Sequence, residues 1–146
     1  MPPRSSFLVC LLALVLAGCA GVRPPDNPAS TPRVSAPQLT ADDSQFARYG
    51  GYLKDMSEIV EACWNHILIE SRHLPKAPST VSVKFRLDRQ GRVARIVQVE
   101  SDSDEIGEKA AVRAITACKT YGAWTPDMVA TLGDSQELTF VFYYTL

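Results

Sequence analysis

Three stretches of this chain alternate apolar with polar side chains, and two others repeat apolar residues at helical spacing. The clearest alternation is Val81-Ser82-Val83-Lys84-Phe85-Arg86-Leu87. Successive side chains of a strand point to opposite faces, so strict alternation predicts a half-buried strand. Asp88-Arg89-Gln90-Gly91 then makes a turn, with Gly91 free to take a positive φ. Val93 to Val99 is a second strand, and the two form a hairpin. Its alternation is imperfect: Val93, Val97 and Val99 share a face with Arg95, while Ile96 falls on the other. A bulge would reconcile these positions, although the sequence does not demand one. The third alternation ends the chain. From Leu138 to Leu146, the residues Leu138, Phe140, Phe142 and Tyr144 alternate with Thr139, Val141, Tyr143 and Thr145.

From Tyr52 to Ile69 the apolar residues Tyr52, Met56, Ile59, Val60, Cys63 and Ile67 recur at helical spacing. Asp55, Glu58 and Glu61 occupy much of the other face, and Pro75 and Pro78 forbid continuation. A second helix is expected from about Glu105 to Lys119, capped by Ser103 or Asp104. Its acidic first turn and terminal Lys119 suit the helix dipole. Ala111, Val112, Ile115 and Cys118 would form its inner face. Tyr121-Gly122 ends it, and Pro126 sits in an irregular segment before the last strand. The order helix, strand, strand, helix, strand contains a split β-α-β unit. A right-handed crossover sets the last strand beside the first. The expected fold is α+β: a two-layer domain with a three-stranded antiparallel sheet, order 2-1-3, and two helices on one face. The other face and two edges stay open.

The N-terminus changes the setting of that domain. Arg4 precedes an apolar run from Phe7 to Leu16, which makes residues 1–18 a signal peptide. The run is shorter than the roughly 20 residues a membrane-spanning helix needs. Leu16-Ala17-Gly18-Cys19 resembles the lipobox of bacterial lipoproteins. That resemblance implies cleavage before Cys19, a lipid on its thiol and membrane attachment facing the periplasm. Ala20 after the cysteine resembles the default for outer-membrane rather than inner-membrane sorting. Two acyl chains satisfy the requirement for stable anchoring. Pro24, Pro25, Pro28, Pro32 and Pro37, among small and polar residues, mark residues 19–44 as a tether reaching at most roughly 75 Å. The folded domain is then expected at 45–146. A formal net charge of -1 gives no global field for nucleic acid, and none is expected as a partner.

The domain pattern resembles the C-terminal domain shared by TonB and TolA, envelope proteins that transmit inner-membrane energy outward. Tyr52, Ile59 and Trp64 match the helix that opens TolA-like domains. Val81, Val83 and Phe85, followed by Asp88, Gly91, Val93 and Ile96, match the first hairpin, and Ser101 falls at a serine turn. Ala110, Ala111, Ala114 and Ile115 match a small-residue helix; Trp124 and Pro126, then Phe140, Phe142 and Tyr144, match the ending. Gly107 departs from the family, which usually has an Asp there after an apolar residue, and no Tyr-Pro motif precedes the domain. The resemblance implies binding by β-augmentation, in which an open edge accepts a partner's strand. It does not carry energy transduction over, since no uncleaved N-terminal membrane helix is expected.

The docking edge expected here is the last strand, whose free side would present backbone groups of Thr139, Val141, Tyr143 and Thr145. No Pro, Gly or charge blunts it between Leu138 and Leu146. The proline-rich tether is a poor cover for it, and the segment from Asp127 to Gln136 is the alternative cover. Cys63 and Cys118 lie on apolar helix faces and form a candidate disulfide; the alternative is two buried small hydrophobes. His66 and Glu70 are i, i+4 and His73 lies beyond the helix, too few ligands for a closed metal site. No metal or cofactor is expected. Lys84, Arg86, Arg89, Arg92 and Arg95 crowd the hairpin, with Glu100, Asp102, Asp104, Glu105 and Glu108 after them. They read as a solvated face, or as a polar docking surface. Trp64 and Trp124 read as core anchors. No catalytic set is suggested by spacing, so the chain reads as a non-enzymatic, lipid-anchored binding module for an envelope protein or peptide. The alternative is a structural subunit of an envelope assembly that docks through its outer sheet face. A small hydrolase using His66 or His73 is a third reading.

Overall fold

A computed structural model describes residues 35–117 and 120–145. The expected signal peptide, Cys19 and Cys118 lie outside the described residues. Four strands and three α-helices follow one another as β1 (Ser35–Ala41), α1 (Gly50–Ser71), β2 (Ser79–Asp88), β3 (Val93–Ser101), α2 (Glu105–Thr116), α3 (Pro126–Leu132) and β4 (Ser135–Tyr144). A 3-10 turn, Ser44–Tyr49, joins β1 to α1. The strands form one antiparallel sheet in the order β1-β4-β2-β3.

The α+β class and the adjacency of β3, β2 and β4 agree with the alternation patterns. Val81, Val83, Phe85 and Leu87 of β2 and Leu138, Phe140, Phe142 and Tyr144 of β4 are all buried on one face. Their partners in register are side by side: Val83 opposes Phe140 and Phe85 opposes Leu138. The Phe85 and Phe140 rings stack with centroids 5.9 Å apart. Against this face α1 packs Met56, Val60, Trp64, Ile67 and Leu68, and α2 packs Ala110, Ala111, Ala114 and Ile115. The small residues of α2 let it approach both the sheet and α1.

Strand β3 settles its own ambiguity with two bulges. Its register against β2 skips Val97 between Gln98 and Ile96, and skips Ala94 between Arg95 and Val93. Each extra residue returns the next apolar side chain to the inner face. Val93, Ile96 and Val99 therefore all pack against the core, and Val97 is left exposed. The β2–β3 turn is closed by Asp88, whose Oδ1 accepts from the N–H groups of Gln90 and Arg92 at 2.9 and 3.0 Å. Gly91 takes φ 73°, and an added Cβ would meet the Gly122 carbonyl oxygen at 2.1 Å. Only glycine allows the 120–125 segment to lie against this turn, where the Tyr121 N–H donates to the Gly91 carbonyl at 2.8 Å.

Three expectations need correction. The sheet has four strands, not three, because Ser35–Ala41 pairs with β4. The ordered domain consequently reaches back to Ser35 at least, so the boundary at residues 44 and 45 is too late. The irregular segment around Pro126 contains a third helix. Pro126 occupies its first turn, where its missing N–H costs nothing, and the Thr125 side chain accepts from the Met128 N–H. Helix α2 ends at Thr116, and its cap is Asp104, whose carboxylate accepts from Ile106 and Gly107, both at 3.1 Å. The expected end at Lys119 lies outside the described residues.

Candidate functional site

Strand β4 runs through the middle of the docking question. Its Leu138, Phe140, Phe142 and Tyr144 side chains fill the core. The Glu137 carbonyl accepts from the Asp42 N–H at 3.2 Å, so it points toward β1. Backbone groups alternate sides along an antiparallel strand. Thr139, Val141 and Tyr143 therefore also turn their backbones to the β1 side, as expected for the free edge. That edge is not free: Thr139 pairs with Thr40, Val141 with Gln38 and Tyr143 with Ser35. Thr145 lies past the end of β4 and is exposed.

The cover comes from the proline-containing segment, not from the stretch between Asp127 and Gln136. Proline cannot donate to a ladder, which counts against such a cover. Pro37 escapes that objection by position. The Asp42 N–H faces β4, so those of Thr40 and Gln38 do too, and position 37 faces away. Pro37 also sits inside the register irregularity between Ser35 and Gln38, with its ring buried. Leu39 and Ala41 pack partly against the core, while Gln38 and Thr40 stay on the outer face. The sequence does hold a weak signal for this strand, since Pro37, Leu39 and Ala41 are spaced by two. The composition around them hides it.

The outer sheet face is polar and internally neutralised. Lys84 pairs with Asp42 at 2.7 Å, and Arg86 with Glu137 at 2.5 Å. Arg89 pairs with Asp134 at 3.1 Å and Arg92 with Asp88 at 3.3 Å. The hydrogen bond and charge of Asp42 raise the Lys84 pKa above the usual lysine value. Of the five hairpin cations, Arg95 has no ion pair among the described residues. Three acidic residues near α2 hold backbone or neighbouring charge. Asp102 accepts from the Thr80 N–H at 2.6 Å, and Asp104 caps α2 while also accepting from the Lys76 N–H at 3.1 Å. These backbone donors lower the Asp104 pKa, with Gly107 contributing most. Glu105 pairs with Lys109. Ser101 accepts from the Ser103 N–H at 3.0 Å, as a serine turn should.

The remaining candidates are dispersed. His66 meets Glu70 at 3.2 Å on an exposed helix face, while His73 contacts Ser71 beyond the helix end. Among the described residues, no three His, Cys, Asp or Glu side chains gather where they could hold a metal ion. Trp64 and Trp124 are both buried in the core. The Trp64 indole N–H donates to the Tyr144 hydroxyl at 3.1 Å, which donates to the Gly107 carbonyl at 2.7 Å. Cys63 is disulfide-bonded, so the reading of a free buried thiol does not hold for it. The expected partner, Cys118, is outside the described residues. No helix among the described residues is long and apolar enough to cross a membrane.

No protein-family model, curated protein or solved structure matches this chain.

Proposed function

We propose that this chain is a non-enzymatic, lipid-anchored envelope protein whose TonB/TolA-like domain binds an extended segment of a protein partner by strand addition. The observation that carries the reading is the behaviour of the β4 edge. This edge takes up a strand, β1, that contributes a single buried side chain and belongs to the segment leading toward the membrane anchor. Such a strand is held by main-chain bonds with apolar residues at alternate positions, which is the chemistry of β-augmentation. The β4 side chains facing outward supply no charge apart from Glu137, and Glu137 is already tied to Arg86 and Lys84. Selectivity would then come from the pockets under alternate residues rather than from a charged surface.

The lipid on Cys19 holds the domain at the envelope surface, with outer-membrane placement favoured by Ala20. With β1 in the sheet, the spacer from Cys19 shortens to residues 20–34, a reach of at most ~50 Å when extended. The test has two parts. Fatty-acid labelling should mark the wild-type protein and not Cys19→Ser. Crosslinking from a photoreactive residue placed at Tyr143, in the native envelope, should yield a discrete adduct that positions on the exposed face of α1 do not give. Labelling of Cys19→Ser at the wild-type level removes the anchor, and equal adducts from α1 remove the edge.

A further inference from the structure

Strand β1 differs from its neighbours in how it is held. Strands β2 and β4 each bury four large side chains on the inner face. Strand β1 buries Pro37 alone, with Leu39 and Ala41 half-covered, and leaves Ser35, Ala36, Gln38 and Thr40 exposed. Its side-chain bonds to β4 are long: Thr40 Oγ1 to the Thr139 carbonyl at 3.5 Å, and the Tyr143 hydroxyl to Gln38 Oε1 at 3.3 Å. Its ladder is interrupted between Ser35 and Gln38. The hinge that follows is firm by contrast. Asp42 is bonded to Lys84 and Glu137, and the Asp43 carboxylate accepts from the Gln45 N–H at 2.8 Å, capping the 3-10 turn. Phe46, the next anchor, is fully buried against Trp124.

We infer that β1 is a detachable strap: it leaves the β4 edge while the rest of the domain stays folded, and the edge so uncovered accepts an extended peptide carrying β1's own apolar pattern. Detachment breaks ladder bonds and withdraws from the core only Pro37 and the partly buried Leu39 and Ala41. Segments with few buried apolar contacts open locally at free energies well below that of global unfolding. The uncovered edge offers the backbone groups of Thr139, Val141 and Tyr143 on a strand without Pro or Gly, which favours re-pairing. The occupant is defined by what β1 supplies. It has small or aliphatic residues at the positions of Pro37, Leu39 and Ala41, and polar residues at those of Gln38 and Thr40. This deepens the docking reading above by making the edge a gated one, but its first test needs no partner.

Hydrogen exchange resolved by NMR on the full chain reads the strap directly. The amides of Thr139, Val141 and Tyr143, which face β1, should exchange at least ~10-fold faster than those of Leu138, Phe140 and Phe142, which face β2. Equal protection of the two sets means that β1 opens only with the whole domain and overturns the inference. Leu39→Asp should raise the first set further and leave the second unchanged; a rise in both overturns it as well. A fluorescent nine-residue peptide with the sequence of Ser35–Asp43 should then bind the Leu39→Asp protein at least ~10-fold more tightly than wild type. Equal affinity, or no binding to the variant, overturns the exchange of strands. If the strap opens but native crosslinks avoid Tyr143, the docking reading fails and the strap stands. If crosslinks form at Tyr143 while the two amide sets exchange alike, the strap fails, and the partner docks on the outer sheet face beside Tyr143 rather than by strand addition at the β4 edge.

Discussion

At the scale of single residues, Gly107, like Gly91, leaves no space for a side chain. A Cβ there would lie 2.1 Å from Ser103 Oγ and 2.7 Å from the Pro75 ring. Its carbonyl also anchors the Tyr144 hydroxyl. Alanine normally strengthens a helix relative to glycine, but here overpacking dominates, and Gly107→Ala should destabilise by about 1–3 kcal/mol. Chemical denaturation checks this, and a raised midpoint would refute the packing argument. Tyr144 gives a pH prediction. Burial pushes its pKa up to about 12, the Trp64 N–H opposes the shift, and the Asp104 charge adds to it. An unfolded tyrosine ionises near pH 10. Above that pH the unfolded chain loses a proton that the folded chain retains, so stability falls as pH rises. The contribution is complete below pH 10 and is lost between about 10 and 12. Tyr121 is also raised by burial and steepens the same fall. Tyr144→Phe should cost about 1–3 kcal/mol at neutral pH by orphaning the Trp64 donor. It should also flatten the alkaline fall, as read from denaturation midpoints between pH 8 and 12.

At the scale of elements, intact alternation made β2 and β4 legible, β3 was legible as a hairpin strand with its bulges left open, and β1 was missed. In β2 and β4 every second residue is large and apolar, and a one-residue slip would expose the whole set. That pattern needs no knowledge of neighbours. Phe85→Ala and Phe142→Ala should each cost about 3–5 kcal/mol, since both side chains are fully buried. Thermal or urea unfolding measures this, and near-zero cost at both sites would contradict the register. In β3 the bulges at Ala94 and Val97 were only one way to reconcile the pattern, because bulging is stabilised by the core it faces. Strand β1 was missed for a related reason. Its alternate positions are Pro37, Leu39 and Ala41, too small to stand out from a proline-rich background. Helix α3 was missed because seven residues hold too few turns for a period to register. The Thr125 cap followed by Pro126 was the available sign.

At the scale of the whole molecule, edge protection and cross-linking decide behaviour. The sheet ends in β1, where Pro37 removes an outward donor, and in β3, which is bulged twice; both devices hinder edge-to-edge aggregation. The disulfide at Cys63 is the other constraint. Pairing with Cys118 would close a loop of roughly 55 residues and stabilise the domain by about 4 kcal/mol in the chain-entropy account. Peptide mapping without reduction should recover Cys63 linked to Cys118, and Cys118→Ser should lower the denaturation midpoint. A different linked peptide would reassign the pair. The sequence by itself determined the α+β class, the faces of α1, β2 and β4, and a cap for α2 at Ser103 or Asp104, between which the structure chose Asp104. These depend on local period and on side chains bonding within a few residues. It also carries the apolar run ending in Leu16-Ala17-Gly18 before Cys19, on which the proposed lipid anchor rests. Only the tertiary structure decided that the β4 edge is occupied and that Lys84, Arg86 and Arg89 pair with Asp42, Glu137 and Asp134. Those outcomes depend on segments distant in the chain, such as Gln38 and Val141. No local pattern encodes such a pairing, because its free energy arises only after the core has brought the two strands together.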